Sequence, residues 1–209
     1  PPDAAVRDAR SIAAACTDLP ALRAALEGFE GCALRYTATN LVFGDGQTGA
    51  PIMFIGEAPG ADEDREGIPF VGAAGQLLNK MLAAAGLDRT GVYITNILPW
   101  RPPGNRTPTP NEVTVCLPFL RRHIELVNPK LLVLVGGTSA GTLLSTSDGI
   151  NKLRGRWHVY RAAEGSTPIP ARAVFHTAYL LRTPARKREA WQDMLEIRRR
   201  LGQETAGGR

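Results

Sequence analysis

The 209-residue chain has only three cysteines, Cys16, Cys32 and Cys116, which are far apart and form no C-x-x-C pair. This pattern predicts neither a disulfide scaffold nor a zinc ribbon. No run of about 18 apolar residues is present, so we expect a soluble protein that makes no membrane contact. The first residues contain no charged leader followed by an unbroken apolar segment, which favours a cytoplasmic location over secretion.

Acidic residues are scarce in one part of the chain. Residues 151–200 carry twelve Lys and Arg against four Asp and Glu, whereas residues 1–150 carry twelve against fifteen. A concentrated basic segment attracts phosphate backbones, although most such runs are solvated faces. Charge alone therefore leaves both readings open, and a nucleic-acid partner has to be argued from motifs.

Four short apolar runs rich in β-branched residues predict buried strands, at residues 52–55, 92–97, 131–135 and 173–175. Helical patterns separate them, and one of these helices has a capping box at Thr109 and Glu112. Strands that alternate with helices predict an α/β fold, here a single domain with a four-stranded parallel sheet flanked by helices. We expect a helical extension at residues 1–25, the domain at 26–201 and a disordered tail at 202–209.

Chemically distinctive residues follow the predicted strands. Glu57 follows the first strand, Asn96 closes the second, and His176 follows the fourth. Ligands of such folds bind beyond the carboxyl ends of the strands, so these side chains are expected to meet at one site. A carboxylate, an amide and an imidazole together suit a small planar polar ligand. The glycine-rich loop at residues 56–60 is weak evidence by itself, because many such loops are only tight turns.

Four segments resemble bacterial uracil-DNA glycosylases of family four, the class that usually carries an iron-sulfur cluster. They are GEAPGADEDREGIPFVGAAGQLL (56–78), YITNILPWRPPGNRTP (93–108), LLVLVGGTSAGTLL (131–144) and HTAYLLR (176–182). The resemblance covers roughly residues 26–200. It implies a bacterial DNA repair enzyme that flips uracil out of DNA and hydrolyses the N-glycosidic bond, leaving free uracil and an abasic site. We expect a monomer whose partner is uracil-containing DNA.

The resemblance also implies which residues bind the base. Phe70 would stack on the flipped uracil, and the Asn96 amide would pair with its O4 and N3-H edge. Ala58 and Gly60 would supply backbone contacts. Without the resemblance, Phe70 would more often be a core residue, and Asn96 would equally well be a cap or turn residue.

Two residues would carry the chemistry. His176 would donate a hydrogen bond to uracil O2 as negative charge builds on the departing base. Glu57 would orient the attacking water and stabilise the oxocarbenium-like sugar. Glu63 and Asp64 are weaker candidates for the carboxylate, and surface charge explains them equally well.

DNA contacts are expected at the same edge of the sheet, with Leu180 as the apolar wedge that fills the vacated stack. The other candidates are polar or basic residues that would bind phosphates: Asn105, Arg106, Ser139, Arg154, Arg156 and Arg182.

The sequence departs from the family at the cluster. The four cysteine positions read Phe29, Cys32, Trp100 and Cys116, and two thiolates cannot hold a four-ligand cluster. We therefore expect no cofactor and no metal, with the two aromatic rings filling the space. A smaller departure is Thr177, where the family more often has proline.

Two rival functions stay open at this stage. A glycosylase for mismatched thymine, hypoxanthine or xanthine would differ in the pocket loop at residues 58–70. A uracil-DNA or abasic-site binding protein would show weak turnover. Some relatives trap their product covalently through a histidine in an inserted basic loop, but this chain has no histidine between residues 96 and 105. Turnover is therefore expected.

Overall fold

The computed structural model of the protein describes residues 2–207. The helices are α1 (Pro2–Ala15), α2 (Leu19–Gly28), α3 (Leu34–Thr37), α4 (Ala61–Glu66), α5 (Ala73–Ala84), α6 (Pro110–Val127), α7 (Gly137–Leu143), α8 (Ile150–Leu153), α9 (Thr177–Arg182) and α10 (Lys187–Ala206). The strands are β1 (Ile52–Gly56), β2 (Tyr93–Asn96), β3 (Leu131–Val135), β4 (Trp157–Tyr160) and β5 (Ile169–Val174). Short 3-10 turns form at Arg89–Gly91, Pro103–Asn105 and Pro184–Arg186.

The strands form one sheet in the order β2-β1-β3-β5-β4. The α/β class and the parallel core are confirmed, but the sheet has five strands rather than four. The additional strand, β4, pairs antiparallel with β5 at the edge. Trp157 and His158 are partly buried, Val159 is exposed and Tyr160 is buried, so β4 lacks the continuous buried run that marked the parallel strands.

The central strands β1 and β3 are apolar throughout because helices cover both faces of the sheet. Met53 and Ile55 of β1 point into a core shared with α1, α2 and α6, whereas Ile52 and Phe54 point into a core shared with α5 and α10. All four are 1% exposed or less. Each such side chain contributes about 1.5–3 kcal/mol on burial, which makes the sheet a rigid support for the loops at its ends.

Local signals fix the start of α6. The Thr109 hydroxyl accepts a hydrogen bond from the backbone N–H of Glu112 at 3.2 Å, as the capping pattern predicts. The Glu112 carboxylate does not complete the capping box, because it forms an ion pair with Arg106 at 2.7 Å. The helix continues through Pro118 as far as Val127.

The two ends of the chain are helical. Helix α1 packs against α6, and the Arg122 guanidinium of α6 donates to the carbonyl of Cys16 at 2.7 and 2.9 Å. The expected disordered tail is wrong for residues 202–206, because α10 extends to Ala206 and is supported by an ion pair between Arg200 and Glu204. Residues 208 and 209 lie outside the described part. Among residues 2–207, no helix is both long enough and apolar enough to cross a bilayer.

Candidate active site

A cleft of about 600 Å³ lies beyond the carboxyl ends of the parallel strands. The loops after β1, β3 and β5 line it together with the segment from Pro102 to Arg106. A smaller pocket of about 40 Å³ adjoins the cleft and shares Ala58, Glu63, Ala74 and His176 with it. Its other walls are Phe70, Gly75 and Asn96. The structure thus brings the predicted catalytic and base-binding residues together at one site.

Asn96 ends β2 and faces the small pocket. Its side chain is 5% exposed, and its Oδ1 has no hydrogen-bond partner among the residues that the structure describes. An unsatisfied buried acceptor costs about 1–3 kcal/mol, so this amide is suited to a ligand that supplies the missing donor. Gly56 makes room for it, because a Cβ there would lie 2.5 Å from Asn96 Oδ1 and 2.6 Å from the Phe70 ring.

The Phe70 ring forms another wall of the pocket. It is 5% exposed and stacks on the His176 ring, with 5.6 Å between the ring centroids and 25° between the planes. The backbone of Phe70 is left-handed, with φ at 53°. A bulky residue is uncommon in this region, and such strain is typical of functional sites.

His176 caps the start of α9. Its Nδ1 accepts a hydrogen bond from the backbone N–H of Ala178 at 3.0 Å, so in the neutral ring the proton lies on Nε2. Burial, helped by the nearby charge of Arg182, lowers the pKa of His176 to about 4. The imidazole is therefore a neutral hydrogen-bond donor at physiological pH.

Glu57 lies in the loop after β1 and lines the cleft. The hydroxyl of Thr138 donates to its carboxylate, with 2.6 Å between Oγ1 and Oε2. Thr138 lies in the first turn of α7, which follows the neighbouring strand β3. The carboxylate is thereby held in one orientation while part of it stays open to the cleft.

The two weaker carboxylate candidates have structural roles. Glu63 accepts hydrogen bonds from the backbone N–H groups of Gly60, Val71 and Gly72 at 3.1, 2.8 and 2.6 Å. It thus joins the two loops that enclose the small pocket. Asp64 accepts from the N–H groups of residues 39 and 40 at 2.9 and 3.1 Å, away from the cleft.

Some of the predicted DNA contacts lie on the cleft. Asn105, Arg106 and Arg182 line it, and Arg182 is exposed. Arg106 is 43% exposed although it pairs with Glu112. Arg156 is exposed but does not line the cleft.

Two predicted DNA contacts, Ser139 and Leu180, are wrong, and a third, Arg154, is paired with carboxylates. Ser139 is fully buried and donates to the carbonyl of Ile55 at 2.6 Å, so it cannot reach a phosphate. Leu180 is also fully buried, and the exposed leucine of this helix is Leu181, at 43%. Arg154 is 17% exposed and forms ion pairs with Asp193 and Glu189 on α10, which compensate its charge.

The positions of the family's cluster ligands do not fit a four-ligand cluster. Phe29, Cys32, Trp100 and Cys116 are all buried in the core beneath α6. A hydrogen bond between the two thiols lowers the pKa of Cys32 and, together with burial, raises that of Cys116. The Phe29 ring packs edge-on against Phe119 at 4.9 Å. Within residues 2–207 no group of three or more His, Cys, Asp or Glu side chains is arranged to hold a metal ion.

Known proteins are similar to this chain in sequence. The chain belongs to the uracil DNA glycosylase superfamily, whose family model matches residues 43–195. A type-4 uracil-DNA glycosylase of Archaeoglobus fulgidus is 42% identical over 170 residues, which cover 79% of this chain and 84% of the relative. That of Sulfurisphaera tokodaii is 41% identical over 172 residues, 80% of this chain and 77% of the relative. That of Thermotoga maritima is 42% identical over 155 residues, which cover 72% of this chain and 77% of the relative.

Sequence reasoning missed several residues that shape the site. Gly56 was noted only as part of a glycine-rich loop, yet its missing side chain lets Asn96 and Phe70 meet. The hydroxyl of Thr138 donates to Glu57, which lies 81 residues earlier in the chain, so no local pattern indicates this contact. Arg89, which binds the carbonyl of Phe70, gave no signal at all because it lies 19 residues further along the chain.

Proposed function

We propose that this protein is a DNA repair glycosylase that flips uracil out of DNA and hydrolyses its N-glycosidic bond, leaving free uracil and an abasic site. The observation that carries the proposal is the buried Asn96 amide, whose Oδ1 lacks a partner within the described residues, beside Phe70 and His176. An amide offers an acceptor for uracil N3-H and a donor for O4. Cytosine presents the reverse pattern and would leave the buried amide mismatched.

His176 and Glu57 act on opposite parts of the reacting bond. The neutral His176 donates from Nε2 to uracil O2 and stabilises the negative charge on the departing base. Glu57, oriented by Thr138, stabilises the positive sugar and directs a water molecule at its anomeric carbon. A histidine that remains neutral suits this role, because the donor keeps its proton throughout the reaction.

Base entry requires space that the small pocket lacks. Its volume of about 40 Å³ is close to that of one water molecule in the liquid. A flipped base therefore either occupies part of the adjoining cleft or moves the pocket wall. Ala58 and Gly60, which line that cleft, contribute backbone contacts to the base.

Leu181 replaces Leu180 as the wedge in this proposal, because it is the exposed apolar residue next to Arg182. Asn105, Arg106 and Arg182 bind phosphates along the cleft, and Arg156 adds to the attractive charge. The exposed side chains at the rim thus supply both the wedge and the backbone contacts that base flipping requires.

The reaction proceeds without an iron-sulfur cluster in this chain. Two of the four ligand positions carry aromatic rings that cannot coordinate iron, and both rings are buried. No step of the proposed mechanism involves the cluster, because Glu57 and His176 supply the chemistry.

The test is a turnover assay with uracil-containing DNA in excess over protein. The protein is expected to release more than one uracil per molecule. His176→Ala and Glu57→Gln should each reduce excision by about 100-fold or more while DNA affinity changes little, because both residues act mainly in the transition state.

The matched controls are His158→Gln and Glu164→Gln, which change the same residue types outside the cleft. Both are expected to excise like the unmodified protein. Binding of uracil-DNA without turnover would instead identify a binding protein. Preference for thymine mismatches, hypoxanthine or xanthine over uracil would identify a glycosylase for other lesions.

A further inference from the structure

Arg89 lies in the short turn before β2, outside the pocket, and its side chain is 20% exposed. Its guanidinium donates from Nη1 to the carbonyl of Phe70 at 2.6 Å and from Nη2 to the carbonyl of Pro69. It also binds the side chains of Asn79 and Asp45, each at 3.1 Å. Four of the five N–H donors of the guanidinium are thus used, and two of these contacts go to the peptide units on either side of the Phe70 Cα.

The segment that Arg89 holds is strained. A left-handed backbone at a bulky residue is energetically unfavourable and persists only where the surroundings enforce it. Glu63 holds the next two residues by accepting from their N–H groups. Gly75 lies against the peptide itself, because a Cβ there would be 2.0 Å from the carbonyl carbon of Phe70. Arg89 therefore restrains the carbonyls of this loop, whereas Glu63 restrains its N–H groups.

We propose that Arg89 is a positioning residue that sets the place of the Phe70 ring and thereby the affinity for the flipped base. The inference rests on the proposed function, in which Phe70 stacks on uracil. Stacking of a base on an aromatic ring contributes substantially to binding and depends on where the ring lies. If the two carbonyls are released, the loop loses its enforced conformation and the ring leaves its place beside Gly56 and His176.

A purely structural role makes a different prediction. If Arg89 only joins its turn to Asp45 and, through Asn79, to α5, its loss lowers the melting temperature without affecting base binding in particular. A positioning role instead lowers the affinity for free uracil and the rate of excision, while the affinity for abasic-site DNA stays the same.

The experiment compares Arg89→Gln and Arg89→Lys with Phe70→Ala, alone and combined. The matched control is Arg198→Gln, because exposed Arg198 also donates to a backbone carbonyl, that of Gly86, at 3.0 Å. Single-turnover excision, inhibition by free uracil, affinity for abasic-site DNA and melting temperature are measured for each variant. The lysine variant keeps a charge beside Asp45 but cannot bind both carbonyls with one fork.

Arg89→Gln should slow excision and weaken uracil inhibition by about 10-fold to 100-fold, the usual cost of a small misplacement. Arg89→Lys should show a smaller loss at a nearly unchanged melting temperature, so the test holds even if the glutamine variant folds poorly. In the Phe70→Ala background, adding Arg89→Gln should reduce the excision rate and the uracil inhibition by less than about twofold. The reason is that the ring that Arg89 positions is absent.

Three results would overturn the proposal. Losses from Arg89→Gln and Phe70→Ala that multiply in the double variant would show independent action. A lower melting temperature with normal uracil inhibition would show a structural role. Normal uracil inhibition in Phe70→Ala would overturn the stacking role in the proposed function as well, whereas the first two results leave that function intact.

Discussion

The hydroxyl of Thr138 donates to the carboxylate of Glu57, with 2.6 Å between the two oxygens. The bond joins the loop after β1 to the helix after β3, two neighbouring strands in the sheet. It leaves the carboxylate open to the cleft while limiting its rotation. Glu57 is thus oriented by a second strand end rather than by its own loop alone.

Replacing Thr138 by valine should lower kcat by about tenfold with little change in KM. A hydrogen bond to a charged group is worth about 1.5–3 kcal/mol, and the loss falls on a group that acts in the transition state. Thr138→Ser keeps the hydroxyl and should restore most of the activity. Steady-state kinetics on one uracil oligonucleotide would measure both, and equal losses in the two variants would contradict the orienting role.

Stability should fall as the pH falls below about 6.5. Burial lowers the pKa of His123 to about 3 and that of His176 to about 4, whereas an unfolded histidine titrates near 6.5. The unfolded chain therefore binds more protons in this range, and each histidine removes about 1.4 kcal/mol per pH unit once its unfolded form is protonated. This stability is complete above pH 6.5 and is lost as the pH falls towards 4 and 3.

Urea unfolding between pH 6.5 and 5 measures this slope before most carboxylates titrate. His123→Gln should reduce the slope of stability against pH by the equivalent of about one bound proton, because His123 is fully buried. Glutamine can still pair with the Tyr93 hydroxyl, which lies 2.6 Å from His123 Nε2. An unchanged slope in this variant would refute the assignment of the lowered pKa to His123.

Trp100→Ala should lower the free energy of unfolding by about 3–5 kcal/mol, because the ring is 3% exposed and its removal leaves a cavity. Trp191 is only partly buried, so Trp191→Ala should cost less. Chemical denaturation of the three proteins tests the prediction. Similar losses in both variants would show that the space at the cluster position is not tightly packed.

The purified protein should be colourless, contain no stoichiometric iron, and fold and excise uracil in the presence of chelator. Metal analysis and absorbance near 400 nm check this outcome. A positive control is the double variant Phe29→Cys with Trp100→Cys, which restores four cysteines at the family's positions and should gain a coloured cluster on reconstitution. A band near 400 nm in the unmodified protein would contradict the alignment of the cysteines.

Thr177→Pro should raise the free energy of unfolding by about 1 kcal/mol without changing excision. Thr177 begins α9, its side-chain hydroxyl is buried without a partner among residues 2–207, and proline suits the first position of a helix. His176 already has the extended conformation that precedes proline, with φ at −66° and ψ at 137°. Thr177→Val removes only the hydroxyl and separates the two contributions. Destabilisation by proline would show that the backbone N–H of Thr177 makes a needed bond.

The sequence predicted the four parallel strands and the residues at their ends, because both follow from local patterns. Continuous apolar runs mark strands buried on two faces, and parallel strands bring their carboxyl ends to one edge. Glu57, Asn96 and His176 therefore met where they were expected. The edge strand β4 was missed because three of its four residues are not buried and it shows no such run, whereas β2 at the other edge is buried throughout and was predicted.

By itself, the sequence determined the parallel sheet, the order of the site loops and the loss of two cluster ligands, since each depends on which residues occupy consecutive positions. Only the tertiary structure decided which neighbour in a helix faces solvent. Successive helical residues point about 100° apart, so Leu181 is exposed while Leu180 is buried. It also decided the partners of Arg89 and Glu63, because hydrogen bonds between distant segments depend on how the loops pack and leave no periodic trace in the chain.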